Sequence, residues 1–460
     1  AGLTFNTTGG GTLNLNPGVI QSSGGGQATF NMVDFDNSDG VIQALAGSMI
    51  TVTNSDITGG VFHTAGDGFI KPNNFSDLRD FTLTGLIRHQ DGDRAQYHGT
   101  ITNNGTISLE STGGVTAVGI LPGATATFAG NGQIVMGGQP SNYILGNGGN
   151  ATLINGPSHT IRGGGTFGFS NVSITNQGAI IADHALPLMI NLSEVAMNSS
   201  GALSATGAGG MRIIDGGFTT SGTVNIAAGS ELERTGVYQQ TGGVTTVNGV
   251  LDVTGNVTLQ GGMLTGGGII DTPHVFNMDG TIAPGDAIGN LIIDGGLSLG
   301  SSGTLAVEIG GLTPVTQHDR LNVTGPATLG GTLEVAFVNG FDPQIGDSFE
   351  VMTYAEQLDS FLLGWFNTFI APCDLDGRTI EVLVTPTAVI VRVIASVPAL
   401  DINCDCVFSL ENEIAAFALA LVNPAAFLAQ YEDCDILNAD FNDNLVDGRD
   451  VQPFLEALLN

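Results

Sequence analysis

The chain has 460 residues, 70 of them glycine, and carries 43 acidic against 11 basic residues, a net charge of −32. A polyanion of this size repels nucleic acid and anionic membrane surfaces, and no run approaches the ~20 consecutive apolar residues of a membrane span. The glycines follow no Gly-X-Y period, which excludes collagen, and a hydrophobic share of 42% is too high for a disordered glycine-rich chain.

The N-terminal stretch AGLTFNTTGGG lacks the basic and apolar regions of a signal peptide and enters strand-like sequence at once, as a mature secreted chain does after cleavage. From residue 1 to 395 the sequence is a succession of short units, each a turn of Gly, Asn or Asp followed by a strand of three to six residues. Examples are GTLNL (11–15), GTISL (105–109), GTVNI (222–226), GVLDV (249–253) and GTLEV (331–335). Within the strands polar and apolar residues alternate, which buries one face. Loose repetition without a convincing helix predicts an all-β solenoid, a right-handed parallel β-helix with roughly 20–25 residues per coil. Stacked β-sandwiches are the rival architecture. Asn-rich corners such as Asn103-Asn104-Gly105 and Asn176-Gln177-Gly178 favour the solenoid, because stacked Asn side chains can hydrogen-bond from coil to coil. Strands around 349–354, 379–385 and 388–395 read as a closing sheet within 349–395.

Residues 396–400 form a linker, and 401–460 change to a helical period. Ile414, Phe417, Ala418 and Leu421 share one face, Val422-Asn423-Pro424 stops that helix, a second covers 424–431, and a third covers 450–459 with Val451, Phe454, Leu455 and Leu458 inward. All four cysteines, Cys373, Cys404, Cys406 and Cys434, fall in this last quarter, where the prospective core is smallest; an even number there suggests disulfides and an oxidising compartment.

Two segments are spaced for a calcium loop, which takes oxygen ligands at positions one, three, five, seven, nine and twelve. In DINCDCVFSLEN (401–412) these are Asp401, Asn403, Asp405, the Val407 carbonyl, Ser409 and Asn412. In ADFNDNLVDGRD (439–450) they are Asp440, Asn442, Asp443 or Asn444, Asp447 and Asp450. Cys406 replaces the sharp-turn glycine of the first loop, Asn412 is a neutral twelfth ligand, and the second loop is one residue short, so any calcium is expected to bind weakly.

Two family resemblances arise from these residues. GTIAPG (280–285), the stretch LNVTGPATLGGTL (321–333) and GDSFEVMT (346–353) are similar to the autotransporter-associated β-strand repeats of secreted bacterial β-helix proteins. That resemblance implies a right-handed β-helix and a secreted or surface location, and no catalytic residues. INCD, FALALVNPAAFLAQYEDCDILNADFN and VDGRDVQPFLEALL resemble a dockerin-like module with degenerate EF-hand loops over 401–460. That group has cysteines matching Cys404 and Cys434, which implies this pair; Cys373 and Cys406 are left for a second bond that ties the module to the solenoid.

The densest polar stretch is IRHQDGDRAQYHG (87–99), with Arg88, His89, Asp91, Asp93, Arg94, Tyr97 and His98. It is either a uronate-binding or glycosidase-like site or a charged loop protruding between coils. Asp183-His184 and His318-Asp319 read as surface turns. The expected function is a non-catalytic extracellular structural or adhesive surface protein. Its alternatives are a β-helix polysaccharide lyase or glycosidase, an extracellular polysaccharide binder, or a dockerin-bearing component that docks a cohesin-like partner. Leu3, Phe5, Leu13 and Leu15 form an apolar alternation without a cap, from which head-to-tail assembly of copies into filaments is expected.

Overall fold

A computed structural model of the chain describes residues 2–6, 12–14, 17–146, 148, 150–169, 172–358, 366–371, 375, 378–395, 402, 407–431, 434, 436–440 and 445–459. They are mostly β, in a solenoid, with three short α-helices. The chain divides into two compact units, Ala1–Asn256 and Val257–Asn460.

In the first unit every coil contributes a strand to each of three faces, and each strand pairs in parallel with its counterpart one coil on. The first face runs from Gly2–Asn6 through Gln27–Asn31 and Met49–Thr53 to Val244–Val247. The second face includes Asp34–Asp36, Asp56–Thr58 and Ser76–Arg79 and continues to Val250–Val253. The third runs from Val19–Ser22 and Val41–Ala44 to Tyr238–Gln240. The step between coils is not constant. It is 17 residues from Ile70 to Ile87 and 27 from Ile107 to Ile134, so turns absorb the length differences while strand register is kept.

Alternation dictates what the register stacks. On the first face Ile50, Ile70, Ile87, Ile107, Ile134, Ile161 and Ile180 lie directly over one another, all without solvent exposure. β-Branched side chains suit a pleated surface, and complete burial of each is worth roughly 1.5–3 kcal/mol. The column continues through Leu203 and Val224 and changes character at Thr245. The buried Thr245 hydroxyl meets Tyr238 Oη at 2.8 Å and Gln240 Oε1 at 2.7 Å.

In the second unit Leu264, Ile282, Leu305, Leu333 and Phe369 form the corresponding column. The expected closing sheet is present: Ser348–Thr353, Ala388–Ala395 and Arg378–Val384 pair antiparallel in that order. A further antiparallel strand, Val407–Ser409, lies on Thr368–Ile370. It leads into α1 (Leu410–Val422), α2 (Pro424–Gln430) and α3 (Val451–Leu459). Asn423 caps α2 by accepting the Ala426 N–H at 3.2 Å, with Pro424 at its start. The linker 396–400 lies outside the described residues.

The helical faces differ from the sequence expectation. In α1 Phe417 is buried and Leu421 packs half-buried against the core, as expected, but Glu413, Ala416 and Ala420 are buried beside them, whereas Ile414 and Ala418 are exposed. In α3 Phe454 is buried and stacks on Phe417 at 4.0 Å, while Val451 and Leu455 face out. The side chain of Leu458 lies outside the described residues. Glu413 can occupy the inner stripe because its carboxylate accepts the Ile402 N–H at 2.8 Å, which gives a buried acid a partner.

His318-Asp319 is not a surface turn; both side chains are buried, at 1% and 2% exposure. Asp319 accepts the N–H of Gly289 and of Glu308, each at 2.8 Å, and so pins a strand to a corner. Burial pushes its carboxyl up to about 7, against those two hydrogen bonds. An acid held above its unfolded value near 3.9 folds more favourably when protonated. Its stabilising contribution is therefore complete below about pH 4 and is lost as pH rises through about 7. Thermal melts of the full chain should show lower stability at pH 7.5 than at pH 5 from this group, and Asp319→Asn should flatten that slope. An unchanged slope in the variant contradicts the assignment.

Candidate functional site

The 87–99 stretch is not a protruding loop. Leu86–Gln90 is a first-face strand, Arg94–Asn103 spans the second and third faces, and only the intervening residues form a turn. Alternation therefore points His89 and Tyr97 inward, where they are fully buried and meet at 2.8 Å between Nε2 and Oη. Burial pushes the imidazole down to about 3 and raises the phenol, so both stay neutral. Asp91 accepts the Thr112 and Gly114 N–H groups of the next coil, both at 2.7 Å, which holds its carboxyl below the usual range. Asp93 accepts the Gln90 N–H at 2.7 Å and lies 3.5 Å from Lys71 Nζ. Arg88 pairs with Glu110 at 3.1 Å, Arg94 donates to the Val115 carbonyl, and His98 pairs with Asp77 at 2.9 Å. The polar residues that the sequence singled out are brought together, but as bonds within and between coils.

A concavity lies at the corner between the third and first faces. It is an open groove of about 410 Å³ across successive coils. Its floor is the column Gly178, Gly201, Gly222 and Gly243, and Gln177, Ser200 and Ser221 stand beside it. Glycine is required there by close approach. A Cβ at Gly222 would lie 1.9 Å from the Gly201 carbonyl oxygen, and one at Gly243 1.9 Å from that of Gly222.

Directly beneath runs the stack of corner side chains anticipated at Asn103 and Asn176. Asn103 Nδ2 donates to His159 Nε2 at 3.0 Å, which leaves the proton on Nδ1, and Nδ1 donates to Asn155 Oδ1 at 2.7 Å. Asn155 donates to Asn176 Oδ1 at 2.8 Å, and Asn176 to Ser199 Oγ at 3.0 Å and the Ala202 carbonyl at 3.1 Å. Burial pushes His159 down to about 4, consistent with this neutral tautomer, and Phe128 stacks on its ring at 5.6 Å. Hydroxyls, one carboxamide, backbone groups and the His159 imidazole line the groove; with both ring nitrogens of His159 bonded and the ring neutral, this chemistry suits hydrogen bonding to neutral polar ligands. Sequence reading found the ladder but not His159, whose signal was its position just before a first-face strand in Gly-Pro-Ser-His.

Of the calcium candidates, Asp401, Asn403, Asp405, Asn442, Asp443 and Asn444 lie outside the described residues, as does the side chain of Ser409. Val407 and Ser409 contribute backbone to a strand, and Asn412 is exposed on α1. Asp440 is half-buried; Asp447 accepts the Arg449 N–H at 2.8 Å, and the buried Asp450 accepts the Asp447 N–H at 2.7 Å. Among the described residues no three His, Cys, Asp or Glu side chains form a metal-holding group. Cys434 is buried and is not a free thiol. Cys373, Cys404 and Cys406 lie outside the described residues. Leu3 is exposed, Phe5 stacks on Phe30 at 5.1 Å, and Leu15 and the side chain of Leu13 lie outside the described residues. No described helix is long and apolar enough to cross a membrane.

No protein-family model matches this chain, and no curated protein matches it either.

Asn176→Ala removes a donor and an acceptor from the buried ladder and strands the Asn155 amide. It should lower unfolding stability by about 1–3 kcal/mol in chemical denaturation. A change within error would show that the ladder is not structural.

Proposed function

We propose that this chain is a non-catalytic structural or adhesive protein of the extracellular surface, assembling head to tail into filaments or a surface layer. The observation that supports this best is the employment of its polar groups. His89, Asp91, Asp93, His98 and His159, the residues best suited to acid–base work, are each engaged in bonds that hold the solenoid together. The resemblance to secreted β-helix repeats supports the location. For the head-to-tail contact we propose Leu3, Phe5, Leu13 and Leu15, with Phe5 already stacked on the next coil. The corner groove favours one second reading, a binder of neutral extracellular polysaccharide.

Negative-stain imaging of the full-length protein should show linear assemblies that disappear when residues 1–16 are deleted. Particles that stay single at high concentration with calcium present would overturn the head-to-tail reading.

For the C-terminal segment we propose the dockerin-like arrangement, with Cys404–Cys434 and Cys373–Cys406 disulfides and a weak calcium site at Asp401, Asn403 and Asp405. Non-reducing peptide mapping should recover those two pairs; Cys404 joined to Cys373, or free thiols, would refute the pairing. Calorimetry of the full chain should register heat with millimolar calcium, and a silent titration removes the metal.

A further inference from the structure

The third face of the first unit carries no charged residue on its strands. Segments 19–22, 41–44, 61–64, 82–84, 99–103, 125–129, 151–155, 172–176, 196–199, 217–220 and 238–240 contain no Asp, Glu, Lys or Arg. The other two faces do carry charge: Lys71, Arg88 and Glu110 on the first, and Asp34, Asp56 and Asp77 on the second. In a chain of net charge −32 such a face is an exception that the composition alone does not produce.

The outward residues of this face form columns. Val19, Val41, Val61 and Thr82 stack in one. Thr100, Thr127, Ile154, Thr175, Asn198, Thr219 and Gln239 stack in another. Its one titratable outward side chain, His63, is bonded to Thr84 at 2.9 Å. Most of these side chains are short or β-branched and already restricted at χ1. Covering them therefore costs little conformational entropy, whereas a Lys or Glu would lose up to about 2 kcal/mol.

We propose that this face docks on the same face of a second copy, pairing two solenoids side by side. The inference rests on the structural reading above and supplies its lateral contact. Charge selects the occupant. Two copies that meet through the first or second face bring charged residues of like polyanions together, whereas the third faces meet without any. Area agrees: strands of four residues at ~3.3 Å each, stacked ~4.8 Å apart, give a face on the order of 650 Å², near the ~800 Å² per partner of a specific interface. A self-complementary patch closes a two-fold pair, with the sheets ~10 Å apart. The aromatic residues of these strands, Phe62, Phe128, Phe218 and Tyr238, are all buried inward, so no outward ring offers a platform for a sugar.

The test is light scattering of the full-length protein at low and high salt. Mass per unit length should double with concentration, from that of one chain to that of two, and the pairing should tighten as salt screens the remaining charge. Thr127→Glu combined with Thr175→Glu, both outward and so tolerated by the core, should weaken pairing by at least about tenfold through like-charge juxtaposition. Thr246→Glu, the same change on the first face, should leave it intact, and circular dichroism should show all variants folded. Single copies at every salt concentration, or pairs that survive the double substitution, overturn the proposal. Retention on an insoluble neutral polysaccharide that the double substitution abolishes, without self-association, also overturns it and assigns the face to a glycan. Loss of linear assemblies on deleting residues 1–16 concerns the head-to-tail contact alone. Unpaired single filaments would sink the lateral contact and leave the structural reading standing.

Discussion

In-register parallel stacking governs everything else in this protein. A residue sits ~4.8 Å from its counterpart one coil away, so whatever occupies a position must be compatible with a near-copy of itself above and below. Isoleucine meets that demand by shape, and the Ile50 to Ile180 column is the result. Outside, the same rule makes like charges expensive. Arg212, Glu233 and Asp252 change sign once along their column, and Arg212 pairs with Glu233 at 3.1 Å. The Asp34, Asp56 and Asp77 column does not change sign. Asp56 and Asp77 are pushed up, first by burial and then by neighbouring carboxylates, while His98 and Arg79 offset the strain.

Polar groups inside a solenoid have no water to fall back on, and an unsatisfied one costs about 1–3 kcal/mol. The chain meets this in two ways. Where the neighbouring coil offers a side chain, as at Asn155, Asn176 and Ser199, bonds run along the stack. Where it offers only backbone, a long side chain collects carbonyls. Arg234, 2% exposed, donates to the carbonyls of Val237, Ile213, Asp215 and Gly216 and closes the corner between second and third faces. Asp319 does the converse in the second unit by gathering N–H groups.

The architecture was legible because its signal is periodic: Gly-initiated strands with alternating residues specify the coil, and the Asn corners specify how coils bond. The closing sheet at 349–395 was legible from its doubly apolar strands. Illegible were the sites where a charged or polar residue faces inward. Alternation in Glu231-Leu232-Glu233-Arg234 assigns Arg234 to the side of Leu232, and Leu86-Ile87-Arg88-His89 assigns His89 to that of Ile87. Reading charge as exposure hides both. The same prior shifted the α1 face at Glu413 and put His318-Asp319 on the surface. The uncharged third face was hidden for a different reason: its strands are scattered some twenty residues apart and become neighbours only once the coil lengths are known.

The glycine column at Gly178, Gly201, Gly222 and Gly243 also limits how such a sequence can drift. At these corners a single methyl group would collide with the backbone of the coil below, whereas neighbouring turns differ in length by several residues without disturbing the strands. Turns can thus change length, whereas along this seam not even a methyl group is accommodated. Coils related by duplication would lose their resemblance quickly in the strands and keep it at that seam, so similarity within the chain survives as a rhythm of glycines rather than as matching words.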